Sequence, residues 1–184
     1  MLKNIFLSLV ILLLSSYNLI SQTIVSYDQS DGLLNNYVEC VAVDINDNVW
    51  FGTAFGVSMF DGNSWTSYNQ SSHPLMLSDN IKTITATSNG DIWIGTDYGA
   101  NKLIGGASGL TWIPYTDSDG LANNKVTSID EDPNGDLWFA HSSFSAGVSI
   151  FDGMSWSSYN YPDLPISGVC GTSVSYTHLR AHET

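Results

Sequence analysis

The chain has 184 residues, room for a sizeable core, with 18 acidic against 5 basic residues and a net charge of −13. That balance excludes nucleic acid and anionic membrane surfaces as targets, because both need clustered Lys and Arg. Two cysteines, Cys40 and Cys170, are too few for a disulfide framework; buried thiols are the expectation, although an exported chain could bridge them.

The chain opens on "MLKNIFLSLVILLLSSYNLISQ", in which Lys3 precedes a short apolar block and then small and polar residues. This is the architecture of a secretory signal over residues 1–22, with cleavage near Ser21 or Gln22. The apolar block is shorter than the roughly 20 residues that a bilayer crossing requires. Export to the periplasm, the cell surface or the medium is expected.

From residue 23 to about 172 the chain repeats itself. Trp50, Trp93 and Trp138 sit in "DNVWFGT", "GDIWIGT" and "GDLWFAH", spaced 43 and 45 residues apart. A second series, "SWTSY", "TWIPY" and "SWSSY", places Trp65, Trp112 and Trp156 at the same period. A third comprises "SDGLLNNYV", the looser "LMLSDNI" and "SDGLANNKV". Three series sharing one period of about 44 residues define an internal repeat.

In chain order, each repeat reads as four short strands. The first carries Val38 and Val41, then Ile81 and Ile84, then Val126 and Ile129. The second is the Trp strand, the third is "GVSMF", "GANKL" or "GVSIF", and the fourth ends in Trp-x-x-Tyr. Asn46-Asp47, Asn89-Gly90 and Asn134-Gly135 separate the first two strands, and Asn-Gly predicts a type I′ hairpin turn. No helical period appears outside the signal.

The spacing predicts an all-β protein, a β-propeller of four-stranded blades spanning 28–68, 69–115 and 116–159, with a partial blade over 160–172. "VWF" and "IWI" are apolar on both faces, as a strand packed by a neighbouring sheet on each side demands. Gly52 and Gly95 would permit close approach where blades converge. The segment "TIVSY" at 23–27 resembles a fourth strand rather than a first. Because closed propellers use about 4 to 8 blades, a truncated propeller is expected. Residues 173–184 change composition abruptly, resemble translated vector sequence and are set aside, together with His178 and His182.

Several motifs carry no chemistry on inspection. "DEDPNGD" at 130–136 spaces oxygen ligands as a calcium loop would, but His141 falls where its closing Glu belongs, so a hairpin turn explains it better. "IGGASG" lacks the strand and helix that a phosphate loop requires. No nucleophile elbow and no short-spaced metal pair occurs. Neither metal nor cofactor is expected, and no catalytic constellation.

The two long sequences around "GLLNNYVECVAVDINDNVWFGTAFGVSMFDG" and "GLANNKVTSIDEDPNGDLWFAHSSFSAGVSIFDG" resemble the two-component regulator propeller repeat. The third repeat departs from its pattern, with Ala140-His141 where Gly-Thr is expected and a longer loop behind. The resemblance implies the periplasmic sensor region of a hybrid histidine kinase, glycan-responsive and dimeric in that context, with downstream domains not contained here. A stand-alone secreted or surface propeller for binding or adhesion is the alternative, and a propeller lyase or glycosidase is a weaker one.

In a propeller, the second-to-third-strand loops and the loops leading into each first strand share one face. The candidate ligand residues there are Phe55, Asp97, Tyr98, His141 and Phe144, with Asn36, Asn80 and Asn124. Aromatic rings stack on sugar faces, and amides and carboxylates bond hydroxyls, so an extracellular oligosaccharide or other small ligand is the expected partner. The competing reading is that the aromatics only cap the blades and the Asn residues only make turns.

Overall fold

The computed structural model describes residues 25–105, 109–142 and 147–159. The signal segment, Phe144, the partial fourth repeat with Cys170, and the tail lie outside the described residues. The described residues form three antiparallel four-stranded sheets. The first contains β1 (Val38–Val43), β2 (Val49–Thr53), β3 (Gly56–Phe60) and β4 (Trp65–Tyr68). The second contains β5 (Ile81–Ala86), β6 (Ile92–Thr96), β7 (Gly99–Ile104) and β8 (Thr111–Tyr115). The third contains β9 (Val126–Glu131), β10 (Leu137–His141), β11 (Val148–Phe151) and β12 (Trp156–Tyr159). Within each sheet the strands neighbour one another in chain order.

The innermost strands β1, β5 and β9 stand side by side, which is the radial order of propeller blades. The two glycines show why. A Cβ on Gly52 would collide with Cys40 Sγ in its own blade and lie 2.7 Å from Ile81 Cγ2 in the next. A Cβ on Gly95 would lie 2.6 Å from Thr83 Cγ2 and 2.7 Å from Val126 Cγ1 of the next blade. The second and third blades therefore bring the first residue of their inner strands against the glycine of the blade before. The same contacts fix the polarity: the C-terminal end of every Trp strand and the N-terminal end of every inner strand lie on one face. At the opposite end, the Ser88 amide and hydroxyl donate to the Glu131 carboxylate at 2.7 and 2.8 Å.

The core lies between blades, not within them. Trp50, Tyr68, Ile81, Ile84, Ile94, Leu103 and Trp112 are buried between the first and second. Trp93, Leu121, Val126, Phe139 and Phe151 are buried between the second and third. Trp50 stacks on Tyr68 at 5.8 Å and Trp93 stacks on Tyr115 at 5.2 Å, so the Trp of the second strand and the Tyr ending the fourth form one recurring pair. In the central blade every residue of "IWIGT" is buried, as strands covered on both faces require. Cys40 carries a free thiol at the first interface, and burial pushes its pKa up to about 11.

Tyr27 shows what the segment before the first blade does. Its ring lies 5.1 Å from Phe60 and 5.6 Å from Trp65. Tyr115 lies 5.9 Å from Phe151 and 5.5 Å from Trp156. Tyr27 thus fills the seat that the last Tyr of a preceding blade occupies, although residues 25–27 themselves form no strand.

The hairpin turns differ from the expected type I′. Only one residue in each has positive φ: Asp47 at 63°, Gly90 at 89° and Gly135 at 90°. In the first turn the Asp47 amide donates to the Asp44 carbonyl at 3.0 Å, and the Asp44 amide donates to the Asn48 carbonyl at 3.0 Å. This is a type I turn closed by one left-handed residue, the three-residue hairpin. The residue before the turn selects it. Asp44 Oδ1 accepts from the Asn46 and Asn48 amides, and Asp132 Oδ1 from those of Asn134 and Asp136. Asp132, the second ligand position of the calcium-like spacing that Asp130 heads, is thus the clasp of a turn.

Candidate functional site

The face that collects the Trp-strand ends is built by two kinds of loop. The first is the turn after each Trp strand. Thr53 Oγ1 donates to the Gly56 carbonyl at 2.9 Å and accepts from the Phe55 amide at 3.0 Å. Thr96 does the same with Gly99 and Tyr98, both at 3.0 Å. Gly56 and Gly99 take φ of 123° and 127°, and a Cβ on either would strike the carbonyl oxygen of Tyr68 or Tyr115. The Thr of "W-x-G-T" and the Gly after it therefore lock a tight turn whose tip projects. Phe55 and Tyr98 occupy the two tips, 60% and 65% exposed. Aromatic rings held in water on locked turns are available for stacking.

The second loop leads from each fourth strand into the next inner strand. Asn36 Oδ1 accepts from the Gln29 amide at 2.9 Å and Asn124 Oδ1 from the Asp117 amide at 2.7 Å. In the middle blade Asp79, not Asn80, does this work, accepting from the Gln70 amide at 2.7 Å. One residue earlier, Asn35, Ser78 and Asn123 each accept from the amide two positions on, that of Tyr37, Asn80 or Lys125. The looser sequence of the middle repeat obscures this register. Asn36 and Asn124 hold the loop, whereas Asn80 is the counterpart of Tyr37 and Lys125. Ser58, Asn101 and Ser149 anchor the same loops from strand three, accepting from the amides of Leu34, Leu77 and Ala122.

His141 takes the Thr position in the third blade and is 3% exposed, so it lies beneath the rim and not on it. Its Nε2 is 2.8 Å from Ser149 Oγ. Burial lowers its pKa to about 4, and the nearby carbonyls of Asn123 and Lys125 oppose this only in part. It is neutral at neutral pH. Asp97 stands on the rim with an ion pair to Lys82 at 3.7 Å, and Lys82 Nζ also reaches Asn80 Oδ1 at 3.3 Å.

The structure therefore gathers Phe55, Asn80, Asp97 and Tyr98 on one face and assigns Asn36, Asn124 and His141 to its support. Tyr37, 68% exposed beside Asn36, was missed by sequence reasoning. The only signal for it was an aromatic residue directly ahead of an inner strand. Trp50, Trp65, Trp93, Trp112, Trp138 and Trp156 all lie in the sheets, away from this face. Among the described residues no group of three or more His, Cys, Asp or Glu side chains is placed to hold a metal ion.

The repeats match a known family model, described as two component regulator propeller, at residues 32–55, 76–98 and 120–143. Among solved structures, the chain is similar to the extracellular domain described as that of a hybrid two component system from B. thetaiotaomicron. The identity is 26% and the TM-score 0.63, over 74% of this chain and 19% of that one. Virginiamycin B lyase from Staphylococcus aureus is similar at 22% identity and a TM-score of 0.48, over 68% of this chain and 41% of the lyase. A streptogramin B lyase gives 22% and 0.49, over 71% and 42%. Both lyases are too distant to bear on chemistry. No curated protein matches the chain.

Proposed function

We propose that this chain, which carries three two-component regulator propeller repeats, belongs to the exported sensor part of a two-component regulator and recognises oligosaccharides on its loop face. The observation that carries the reading is the pair of exposed rings, Phe55 and Tyr98, each on a turn closed by Thr and Gly. A ring that only capped a blade would be covered by it. The similarity to the extracellular domain of a hybrid two component system supports a sensing context. Among the described residues no helix is long and apolar enough to cross a membrane. In this reading the module binds and does not catalyse, and binding shifts its packing against domains outside this chain.

Glycan-array binding by the purified chain, repeated with Tyr98→Ala, tests this. Wild type is expected to bind, and the variant to lose about tenfold or more in affinity, because one aromatic platform is worth about 1–3 kcal/mol. Equal binding by both proteins, or none by wild type, would remove the loop face from consideration.

A further inference from the structure

Each inner strand carries a β-bulge at the same place. Val38 pairs with Thr53 and Cys40 with Gly52, leaving Glu39 without a partner. Ile81 pairs with Thr96 and Thr83 with Gly95, leaving out Lys82. Val126 pairs with His141 and Ser128 with Ala140, leaving out Thr127. A bulge re-aims a side chain, and bulges concentrate beside functional sites. Here they lie on the innermost strands, at the end that meets the loop face. Tyr37, Asn80 and Lys125 stand two residues earlier and so share the side of the bulged residue. The bond from Lys82 Nζ to Asn80 Oδ1 displays that shared side in the middle blade.

We propose that three pairs, Tyr37 with Glu39, Asn80 with Lys82 and Lys125 with Thr127, form the ligand-reading ring, and that its ligand is a saccharide bearing a carboxylate. This rests on the saccharide reading above and names the class of sugar. Two observations carry it. First, the frame repeats while the displayed residue does not. Asn35, Ser78 and Asn123 clamp the amide of the ring residue in all three blades, yet the clamped residues are Tyr, Asn and Lys. A position kept in geometry and varied in chemistry reads something outside the fold.

Second, the cations are placed. The described residues hold three, Lys82, Lys102 and Lys125. Lys102 is committed to the sheet, 2.8 Å from the Asp91 carboxylate and over the Trp93 ring at 5.7 Å. The other two both belong to the ring, in a chain of net charge −13. Lys82 is shared with Asp97. Lys125 is exposed and forms no ion pair among the described residues. A carboxylate bound to Lys125 and Lys82 would gain charge-assisted hydrogen bonds. Glu39, in the first blade, disfavours the anion there and accepts from sugar hydroxyls beside the Tyr37 ring. The ring thus orients a sugar with its acidic group toward the second and third blades.

Calorimetric titration of the 184-residue chain with trigalacturonic acid and with its uncharged methyl ester tests the assignment. The acid is expected to bind about tenfold tighter at low salt, and Lys125→Ala to bring the two within about threefold. Lys125→Arg should retain most of the preference. Equal affinity for acid and ester in wild type would overturn the acidic class and leave the saccharide reading standing. A preference for the acid that survives both Lys125→Ala and Lys82→Ala would overturn the ring. Binding of neither sugar, with no hit on the glycan array, would sink this inference and the reading it rests on together.

Discussion

At the scale of the residue, equivalent positions do different work. Trp50 Nε1 donates to Asp44 Oδ2 at 2.9 Å, whereas Trp112 Nε1 has no hydrogen-bond partner among the described residues. Both indoles are buried. Trp50→Phe loses packing and one hydrogen bond to Asp44 Oδ2, which keeps its bond from Asn48 Nδ2; Trp112→Phe loses packing alone. Urea unfolding is expected to show the first variant less stable than the second by about 1 kcal/mol. His141 makes a pH prediction. Its folded pKa, about 4, lies below the ordinary 6.5. The unfolded chain therefore binds a proton that the folded chain refuses. The His141 contribution is fully present above pH 6.5 and is lost as the pH falls toward 4, a decline of roughly 2–3 kcal/mol. The carboxylates with lowered pKa, among them Asp44 and Asp132, lose their contribution only below that window. His141→Thr, which restores the residue of the other two repeats, should flatten stability between pH 6.5 and 4. A slope unchanged in the variant would show that the imidazole is not its source.

At the scale of the element, the Trp strand ends in two small residues with separate duties. Thr96 closes the turn that displays Tyr98, and Gly95 makes room for Val126 of the next blade. Gly95→Ala inserts a methyl group where two side chains already stand, and overpacking of this kind costs about 1–3 kcal/mol. A thermal melt of the variant should be lower by several degrees, with Tyr98 still displayed. An unchanged melting temperature would mean that the blades can part without cost. Much of this was legible beforehand: the Trp spacing, the strand order and the role of the glycine follow from apolar runs bounded by turn residues. The turn type was not. Asn-Gly permits two positive φ angles, but the residue before it selects a type I turn with a single left-handed residue: Asp44 and Asp132 accept from turn amides, and the Thr87 hydroxyl donates to Asn89 Oδ1 and the Asp91 carbonyl. A dipeptide rule does not include that neighbour.

At the scale of the whole molecule, stability is a property of interfaces. Each blade presents an aromatic face that the Trp and Tyr of the preceding unit cover, and Tyr27 supplies the Tyr for the first blade. Tyr27→Ala should uncover Phe60 and Trp65, lower the free energy of unfolding by about 1–2 kcal/mol and raise binding of a hydrophobic dye. A variant as stable as wild type would make the Tyr27 contact incidental. The loop face was only half legible. Phe55 and Tyr98 could be named because a residue between Thr and Gly in a tight turn has nowhere to point but outward. Asn36 and Asn124 looked the same as rim residues, yet their side chains are spent on the loop backbone.

The sequence by itself determined the repeat, the all-β class, the four-strand grammar and the two-sided burial of the Trp strand, because period and local polarity depend only on neighbours along the chain. The tertiary structure alone decided which Asx residues are consumed as clamps, that His141 is buried against Ser149, and that Glu39, Lys82 and Thr127 are bulged at the same place on three inner strands. Those outcomes turn on contacts between residues one strand or one blade apart, where a single step of register exchanges a side chain that holds the loop for one that faces a ligand.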